Sequence, residues 1–156
     1  MAVYKNGAAS GVFGELGWPD TSGAQLGARC ALLTPSYDYD TTKPTTHLTW
    51  GQVKASEIAL GGGYTVSGGI AVPTRTIQSI DADKTAWANG GQIDFGTIPT
   101  GRQIRFALYI ESTVDAARVW GIKDLRPFNG GQDIIGDGGT LVLNHIDGHI
   151  FGYMWT

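Results

Sequence analysis

Glycine is the residue that most constrains the fold of this chain. It occurs 24 times among 156 residues, well above the roughly 7% of average usage. Glycine weakens helix and strand interiors and is favoured in tight turns, where it accepts a positive φ. Together with threonine-rich runs and few strong helix formers, this composition predicts many short strands joined by tight turns. The sequence therefore predicts an all-β fold, which we expect to be an antiparallel, jelly-roll-like β-sandwich with one short helix.

The clearest strand signal lies at residues 102–111, where apolar residues alternate with mostly polar ones. This period of two is typical of a strand with one face in the core. A near-continuous apolar run at 26–34 predicts a central strand buried on both faces. A third strand at 118–125 is expected to pair antiparallel with the first. Four side chains of the first strand are expected to point into the core, opposite an amphipathic face: Ile104, Phe106, Leu108 and Ile110.

One short helix is predicted near residues 50–60. Thr49 and Gln52 have the spacing of a capping box, in which two side chains bond backbone N–H groups that the first helical turn leaves free. The glycines at 61–63 are expected to end this helix as a structural corner, because glycine adopts the left-handed conformation that closes helices. A phosphate-binding loop is not predicted here, since neither a Lys-Ser/Thr pair nor a helix N-terminus follows.

Two further turns are predicted in the second half of the chain, one before the strands at 102–111 and 118–125 and one after them. The Asn-Gly-Gly sequence at 89–91, which follows the expected core residue Trp87, is typical of a tight turn with positive φ. The Asp-Gly sequence at 147–148 lies between two apolar runs, as in a β-hairpin. His145 and His149 flank it. Cross-strand polar packing is favoured over metal binding for both, because no third His or Cys ligand lies nearby.

Candidate reactive residues are few, and each has a simpler structural interpretation. Cys30 lies in an apolar run and is expected to be buried. Asp38 and Asp40 lack the further carboxylates and the placed glycine of a calcium loop. The acid pairs at 81 and 83 and at 133 and 137 have the residue types of glycosidases, but such residues are usual in turns. With no hydrolase, metalloprotease or nucleotide-binding motif, we expect no enzyme and no catalytic, cofactor-binding or metal-binding residues.

Charge and hydropathy limit the expected partners. The formal net charge is −3 and the pI is about 5.4, so the chain lacks the basic surplus of nucleic-acid-binding proteins. No apolar run reaches the roughly 18 residues of a membrane span, and the start lacks the hydrophobic core of a signal peptide. We therefore expect no nucleic-acid or membrane partner, and synthesis and folding in a cytoplasm.

Residues 1–25 are predicted to form a glycine-rich N-terminal arm, and residues 26–156 a single β-sandwich domain. The arm has neither helical nor strand period. Its apolar side chains would be poorly soluble if exposed, so we expect the arm to pack on its own body or on a neighbour. These side chains are Val12, Phe13, Leu16 and Trp18.

A series of short motifs runs through the chain in a recognisable order. The motifs are ALLTPSY at 31–37, THLTW at 46–50, SEI at 56–58, GYT at 63–65 with Gly-Gly at 68–69, DAD at 81–83 with Trp87, and GGTLVLN at 138–144. In this order, and over most of residues 26–151, the chain resembles a family of small structural proteins encoded in the virion modules of tailed bacteriophages and prophages. It departs from that family in its glycine-rich start and in the closing residues 153–156.

The resemblance implies a virion component with no catalytic residues. We expect a capsid decoration or cement protein on the capsid surface, with the major capsid protein and itself as partners. By analogy with decoration proteins at three-fold positions, the expected oligomer is a homotrimer. One alternative is a glycan-binding β-sandwich on a tail or fibre, with Trp18, Trp120 and Trp155 as candidate stacking platforms. The other alternative is a small hydrolase.

Overall fold

The computed structural model describes residues 2–3, 28–38, 49–80, 85–145 and 149–154. Over these residues it confirms an all-β fold of antiparallel sheets with one short helix. The helix, α1, spans Trp50–Val53 and continues as a 3₁₀ turn over Lys54–Ser56, and a second 3₁₀ turn spans Arg126–Phe128. In chain order the strands are β1 (Ala2–Val3), β2 (Arg29–Leu33), β3 (Ile70–Ala71), β4 (Thr76–Ile80), β5 (Thr85–Asn89), β6 (Ile93–Thr97), β7 (Gln103–Ile104), β8 (Phe106–Ile110), β9 (Val119–Asp124), β10 (Ile134–Ile135), β11 (Thr140–Leu143) and β12 (His149–Met154).

A five-stranded sheet with the order β1-β9-β8-β2-β3 lies at the centre of the fold. Ala31 of β2 lies opposite Leu108 of β8, which in turn lies opposite Ile122 of β9. Residues 30–33 of β2 and all of β8 are buried. The prediction of a central strand buried on both faces is confirmed for β2, and so is the antiparallel pairing of β8 with β9.

The side chains of this sheet enter two hydrophobic clusters, one on each face. We call one the helix-covered face, because the sheet packs there against Tyr37 and against Trp50 of α1. We call the other the strand-covered face, because it packs against Phe95 of β6, Ile104 of β7 and Ile150 of β12. Sheet residues of the helix-covered face are Ala31, Leu33, Phe106, Leu108, Ile110, Val119 and Ile122. Those of the strand-covered face are Cys30, Leu32, Ala107, Tyr109 and Trp120.

The strands over the strand-covered face belong to three smaller antiparallel sheets. These have the orders β10-β7, β11-β6 and β12-β5-β4. Ile134 lies opposite Ile104, and Leu143 lies opposite Ile93. Short strands in several sheets are what the frequent glycines predict. Whether these layers form a jelly-roll-like sandwich stays a prediction.

The predicted strand at 102–111 differs from expectation in its faces. Ile104, Phe106, Leu108 and Ile110 are all buried, but Ile104 lies in the cluster of the strand-covered face and the other three in that of the helix-covered face. The strand is interrupted at Arg105, between β7 and β8. The opposite side of β8, with Ala107 and Tyr109, is also fully buried. The predicted amphipathic face is therefore wrong, because β8 is covered on both sides.

Trp120 occupies a β-bulge in β9. Tyr109 lies opposite Gly121 and Ile110 opposite Val119, so Trp120 is the extra residue between two paired ones. The bulge sends the fully buried indole of Trp120 to the strand-covered face, while Val119 and Ile122 belong to the other face. The bulge therefore allows β9 to place its largest side chain, that of Trp120, on the strand-covered face.

The helix is shorter than predicted and does not reach the glycines at 61–63. Gln52 Oε1 accepts a hydrogen bond from the backbone N of Thr49 at 3.1 Å, which confirms the Gln52 part of the capping box. The 3₁₀ turn then gives way to an extended Glu57. The expectation that three glycines end the helix is therefore wrong.

Close packing against β6 explains those glycines better. A Cβ on Gly62 would lie 2.2 Å from the carbonyl oxygen of Thr97, and a Cβ on Gly63 would lie 2.6 Å from the Cα of Gly96. Real Cβ atoms do not approach backbone so closely. The corner at 61–63 is thus a backbone-on-backbone contact, which only residues without a side chain allow.

Both turns predicted in the second half differ from expectation. Neither Gly90 nor Gly91 has a φ in the left-handed region, and β5 and β6 on either side belong to different sheets. Likewise β11 pairs with β6 and β12 pairs with β5, so the hairpin predicted around 147–148 is wrong. The strands themselves were identified by their apolar pattern. Their partners were not, because a period of two does not specify which strand lies alongside.

The first described residues pair with the body of the fold, where Ala2 lies opposite Ile122 and Val3 opposite Gly121. The rest of the predicted arm, residues 4–25, lies outside the described residues, as do Asp40, the acid pair at 81 and 83, and Trp155. The side chains of Trp87 on β5 and His149 on β12 lie outside them too. Within the described ranges, no helix has the length and apolar character to cross a membrane.

Candidate functional site

Glu57 organises the edge of β2. Its carboxylate accepts hydrogen bonds from Tyr64 OH, Ser67 Oγ and the backbone N of Gly68, each at 2.7 Å. Tyr64 OH in turn accepts a hydrogen bond from the backbone N of Leu32 at 3.1 Å. Burial raises the pKa of Tyr64 above its ordinary value, and the hydrogen bond to Glu57 adds to the shift, so the phenol stays neutral. A charged acceptor thus holds residues 64–68 against β2.

Backbone contacts extend the same edge in both directions. The N of Thr34 donates to the O of Ser56 at 2.8 Å, and the N of Ile58 donates to the O of Leu32 at 3.0 Å. Further along, a Cβ on Gly69 would lie 1.8 Å from the carbonyl oxygen of Cys30, so only glycine fits there. The segment 56–69 therefore completes the edge of β2, and several motifs that carry the family resemblance form one connected unit.

A groove of about 490 Å³ opens beside this unit. Ser36 and Glu57 line it on the β2 side, and Arg102 and Gln103 line it on the side of β7. The groove therefore offers hydroxyl, carboxylate, guanidinium and amide groups to a partner. Both hydrogen-bond donors and acceptors are available there.

A second groove, of about 320 Å³, adjoins the first at Gln103. Arg105 binds Asp133 through two hydrogen bonds, of 2.6 and 2.8 Å. Arg126 likewise binds Asp124, with Nη2 2.5 Å from Oδ2. Such partly exposed pairs contribute little stability each, but a bidentate geometry fixes where the side chains point. The floor of this groove is therefore preorganised.

Two large apolar side chains are exposed in this region. Ile135 lines the second groove and is 61% exposed. Phe128, two residues after Arg126 on the 3₁₀ turn, is 60% exposed and has Lys123 Nζ 4.5 Å from its ring centroid. We call the two grooves together with Ile135 the Gln103 surface. It combines charged side chains held by ion pairs with one exposed large apolar side chain.

Asp133 does not have the chemistry of the general acid of a glycosidase. Such an acid needs a raised pKa, whereas the hydrogen bond from Arg105 lowers the pKa of Asp133. Asp137 accepts a hydrogen bond from the backbone N of Gly139 at 2.8 Å, as turn residues do. Their interpretation as structural residues is the one that the geometry favours.

The other candidates named from the sequence are dispersed. Cys30 is fully buried as predicted, and burial raises the pKa of its thiol far above the ordinary value. Trp120 is fully buried, so it is no stacking platform for a sugar. His145 bonds Tyr109 OH at 2.8 Å, and Asp38 is exposed. Within the part of the chain that the structure describes, no three His, Cys, Asp or Glu side chains are grouped as a metal site requires.

Sequence reasoning did not identify the residues that shape this surface. Glu57, Arg105 and Arg126 belong to no catalytic or ligand-binding motif, and their partners become apparent only when strands are brought together. The pair of Arg105 with Asp133 joins residues 28 positions apart. One signal was available, since Glu57 and Tyr64 both lie inside the motifs of the resemblance.

In comparisons with known proteins, no family, no curated protein and no solved structure matches this chain.

Proposed function

We propose that this protein is a structural protein of tailed-bacteriophage virions, a capsid decoration protein that binds and stabilises the shell of major capsid protein. The observation that carries the proposal is the ordered series of motifs between residues 31 and 144. Residues from several of these motifs touch one another: Leu32 with Tyr64, Tyr64 with Glu57, and Glu57 with Gly68. Because these residues form one structural unit, their motifs depend on one another, and this supports the resemblance more than the same number of unconnected motifs would.

The Gln103 surface supports a role in protein contacts. Its ion pairs hold their side chains in place before a partner arrives, which reduces the entropy lost on binding. Ile135 supplies the apolar anchor, and the grooves beside it supply polar groups for a rim. We assign this surface to the contact with the major capsid protein. The protein acts as a homotrimer whose repeated contacts gain avidity from their high effective concentration.

Co-sedimentation with expanded, empty heads of the phage that carries the gene tests this contact. Ile135→Ser should weaken binding, because it removes the exposed apolar anchor. Val114→Ser is the matched control, since Val114 is also 61% exposed but lies on the loop beside α1. Equal loss in both variants, or none in Ile135→Ser, would contradict the assignment of the surface. Failure of the unchanged protein to bind heads at all would contradict the proposed function.

The N-terminal arm is the second proposed contact. Deleting residues 1–20 should leave the fold intact, because the described residues of the arm, Ala2 and Val3, add two residue pairs at the edge of the five-stranded sheet. The shortened protein should no longer attach to expanded heads. Circular dichroism checks the fold, and the same co-sedimentation assay checks attachment. Undiminished binding after deletion would remove the arm from the mechanism.

A glycan-binding role on a tail or fibre is the second candidate, and Phe128 is the observation that favours it. Its ring is exposed, Arg126 two residues earlier lines the second groove, and aromatic faces with polar neighbours stack on sugars. Phe128→Ala should abolish binding on a glycan array if this candidate is right, while binding to heads should be absent. Binding to heads without any glycan signal would exclude it.

A further inference from the structure

Three chain crossings connect the sheet β12-β5-β4 to other sheets. β3 of the five-stranded sheet leads to β4 through residues 72–75. β5 leads to β6 through residues 90–92, and β11 leads to β12 through residues 144–148, of which 144 and 145 are described. These crossings come together at one place, although they are far apart in sequence.

Hydrogen bonds join the three crossings in series. The backbone N of Gly91 donates to the carbonyl oxygen of Pro73 at 2.8 Å. The carbonyl oxygen of Gly91 lies 3.2 Å from Nδ1 of His145. Nε2 of the same ring lies 2.8 Å from Tyr109 OH, in β8 of the five-stranded sheet. A single imidazole therefore links all three crossings to the centre of the fold.

Apolar side chains also pack closely where the three crossings meet. A Cβ on Gly90 would lie 2.6 Å from both Ile150 Cδ1 and Val72 Cγ1, so the two side chains meet over a glycine that has none. Thr74, next to Pro73, has a φ of 47°, a left-handed conformation that is strained for a β-branched residue. Strained backbone persists only where its surroundings hold it in place.

The geometry fixes the hydrogen-bonding roles of His145. A carbonyl oxygen only accepts, so Nδ1 must carry the proton that it donates to Gly91. In a neutral ring Nε2 is then an acceptor, and Tyr109 O–H donates to it. A second proton on His145 would make Nε2 a donor that faces the donating O–H of Tyr109. The hydroxyl proton of Tyr109 would then have to turn towards the sulfur of Cys30, a weak acceptor that Tyr109 also contacts.

We propose that the joint of Pro73, Gly91 and His145 holds the sheet β12-β5-β4 against the five-stranded sheet, and that protonation of His145 opens this joint. The described titratable groups near the His145 ring are either neutral or positively charged, so they do not stabilise a positive charge on it. Tyr109 of β8 and Cys30 of β2 are neutral, and Lys123 of β9 is positive. Burial, with a contribution from Lys123, lowers the pKa of His145 from 6.5 to about 4, whereas its bond to Gly91 acts in the opposite direction.

Hydrogen exchange of the full-length protein at pH 7 and pH 4, corrected for intrinsic exchange rates, tests the proposal. If the pKa of His145 is 6.5 in the open joint and about 4 in the closed one, linkage predicts about a hundredfold loss of protection in the crossings at pH 4. The amides of Val72 and Gly91, which donate to the carbonyl oxygens of Ala28 and Pro73, should lose protection, while those of β8 should not. Loss of protection in β8 at the same pH would indicate global unfolding and would overturn the proposal.

His145→Gln and His149→Gln form a matched pair of variants. Protection of the crossings should become independent of pH in His145→Gln and should keep its dependence in His149→Gln. The reverse pattern, or unchanged protection at pH 4 in the unmodified protein, would overturn the proposal. If His145→Gln does not fold, nuclear magnetic resonance titration of the unmodified protein decides the matter. The His145 ring should then titrate at the pH where the crossings open, and a midpoint near 6.5 with no change in exchange would contradict it.

Discussion

The two faces of the five-stranded sheet are stabilised in different ways. The helix-covered face is an apolar cluster in which Leu108 packs with Trp50 of α1 and with Ile122 of β9. The strand-covered face also buries large apolar groups, but hydroxyl groups lie among them, on Tyr64 and Tyr109. Apolar packing tolerates changes of partner that conserve volume, whereas hydrogen bonds require particular partners. The helix-covered face should therefore contribute stability mainly through packing. The hydrogen bonds of the strand-covered face should determine which strands pack against the five-stranded sheet.

The largest effect is expected on the helix-covered face. Leu108→Ala removes a fully buried side chain and should lower the free energy of unfolding by roughly 2–5 kcal/mol, as for other buried leucines. Urea unfolding measures the loss. Leu60→Ala is the control, because Leu60 is 46% exposed and its truncation should change little. A Leu108→Ala protein as stable as the unmodified one would show that packing on this face is not what holds the sheet.

A smaller effect is expected from one hydroxyl on the strand-covered face. Tyr64→Phe keeps the ring but deprives the buried N of Leu32 of its hydrogen-bond acceptor and Glu57 of one donor. The cost of leaving such groups unsatisfied is about 1–3 kcal/mol. A double-mutant cycle with Glu57→Gln in urea unfolding should give a coupling energy well above error. Strict additivity of the two changes would mean that the network does not act as a unit.

The same contrast explains what the sequence could predict. Burial of β2 followed from its apolar run, and burial of Phe106, Leu108 and Ile110 on β8 followed from their alternation, because both patterns are visible without knowing any partner. The faces of β8 did not follow, since whether Tyr109 is covered depends on β6 and β12, which lie elsewhere in the chain. The pairings of β11 and β12 failed for the same reason. Likewise the Gln103 surface depends on Arg105 meeting Asp133, and only the folded chain brings those two side chains together.

A still smaller effect is expected at the rim of the helix-covered face, where Glu111 bonds Arg118 at 2.7 Å. Burial raises the pKa of Glu111, but hydrogen bonds and charge from Arg118 outweigh it, so the net pKa is lowered. A carboxylate with a lowered pKa stabilises the fold above its ordinary pKa of 4.5, and this contribution is lost as the pH falls through the folded value.

Glu111→Gln should therefore reduce the stability difference between pH 6 and pH 3, by about 1 kcal/mol or less, as is usual for pairs near the surface. Urea unfolding at both pH values provides the measurement. Asp115→Asn is the control for losing an exposed ion pair, because Asp115 pairs with Lys54 while 68% exposed and its replacement should change stability little. Identical behaviour of Glu111→Gln and the unmodified protein would assign the acid sensitivity to other groups.

The smallest expected effect is that of a metal chelator, which should leave the melting temperature unchanged. The two faces are held by side chains that contact each other directly: on the strand-covered face Nδ1 and Nε2 of His145 both have protein partners, Gly91 and Tyr109. A metal ion at His145 and His149 would have to displace one of those partners, and it would stabilise the strand-covered face alone. Thermal melts with and without a chelator measure this. A clear fall in midpoint, reversed by added zinc and absent in His145→Gln, would show that an ion holds the strand-covered face.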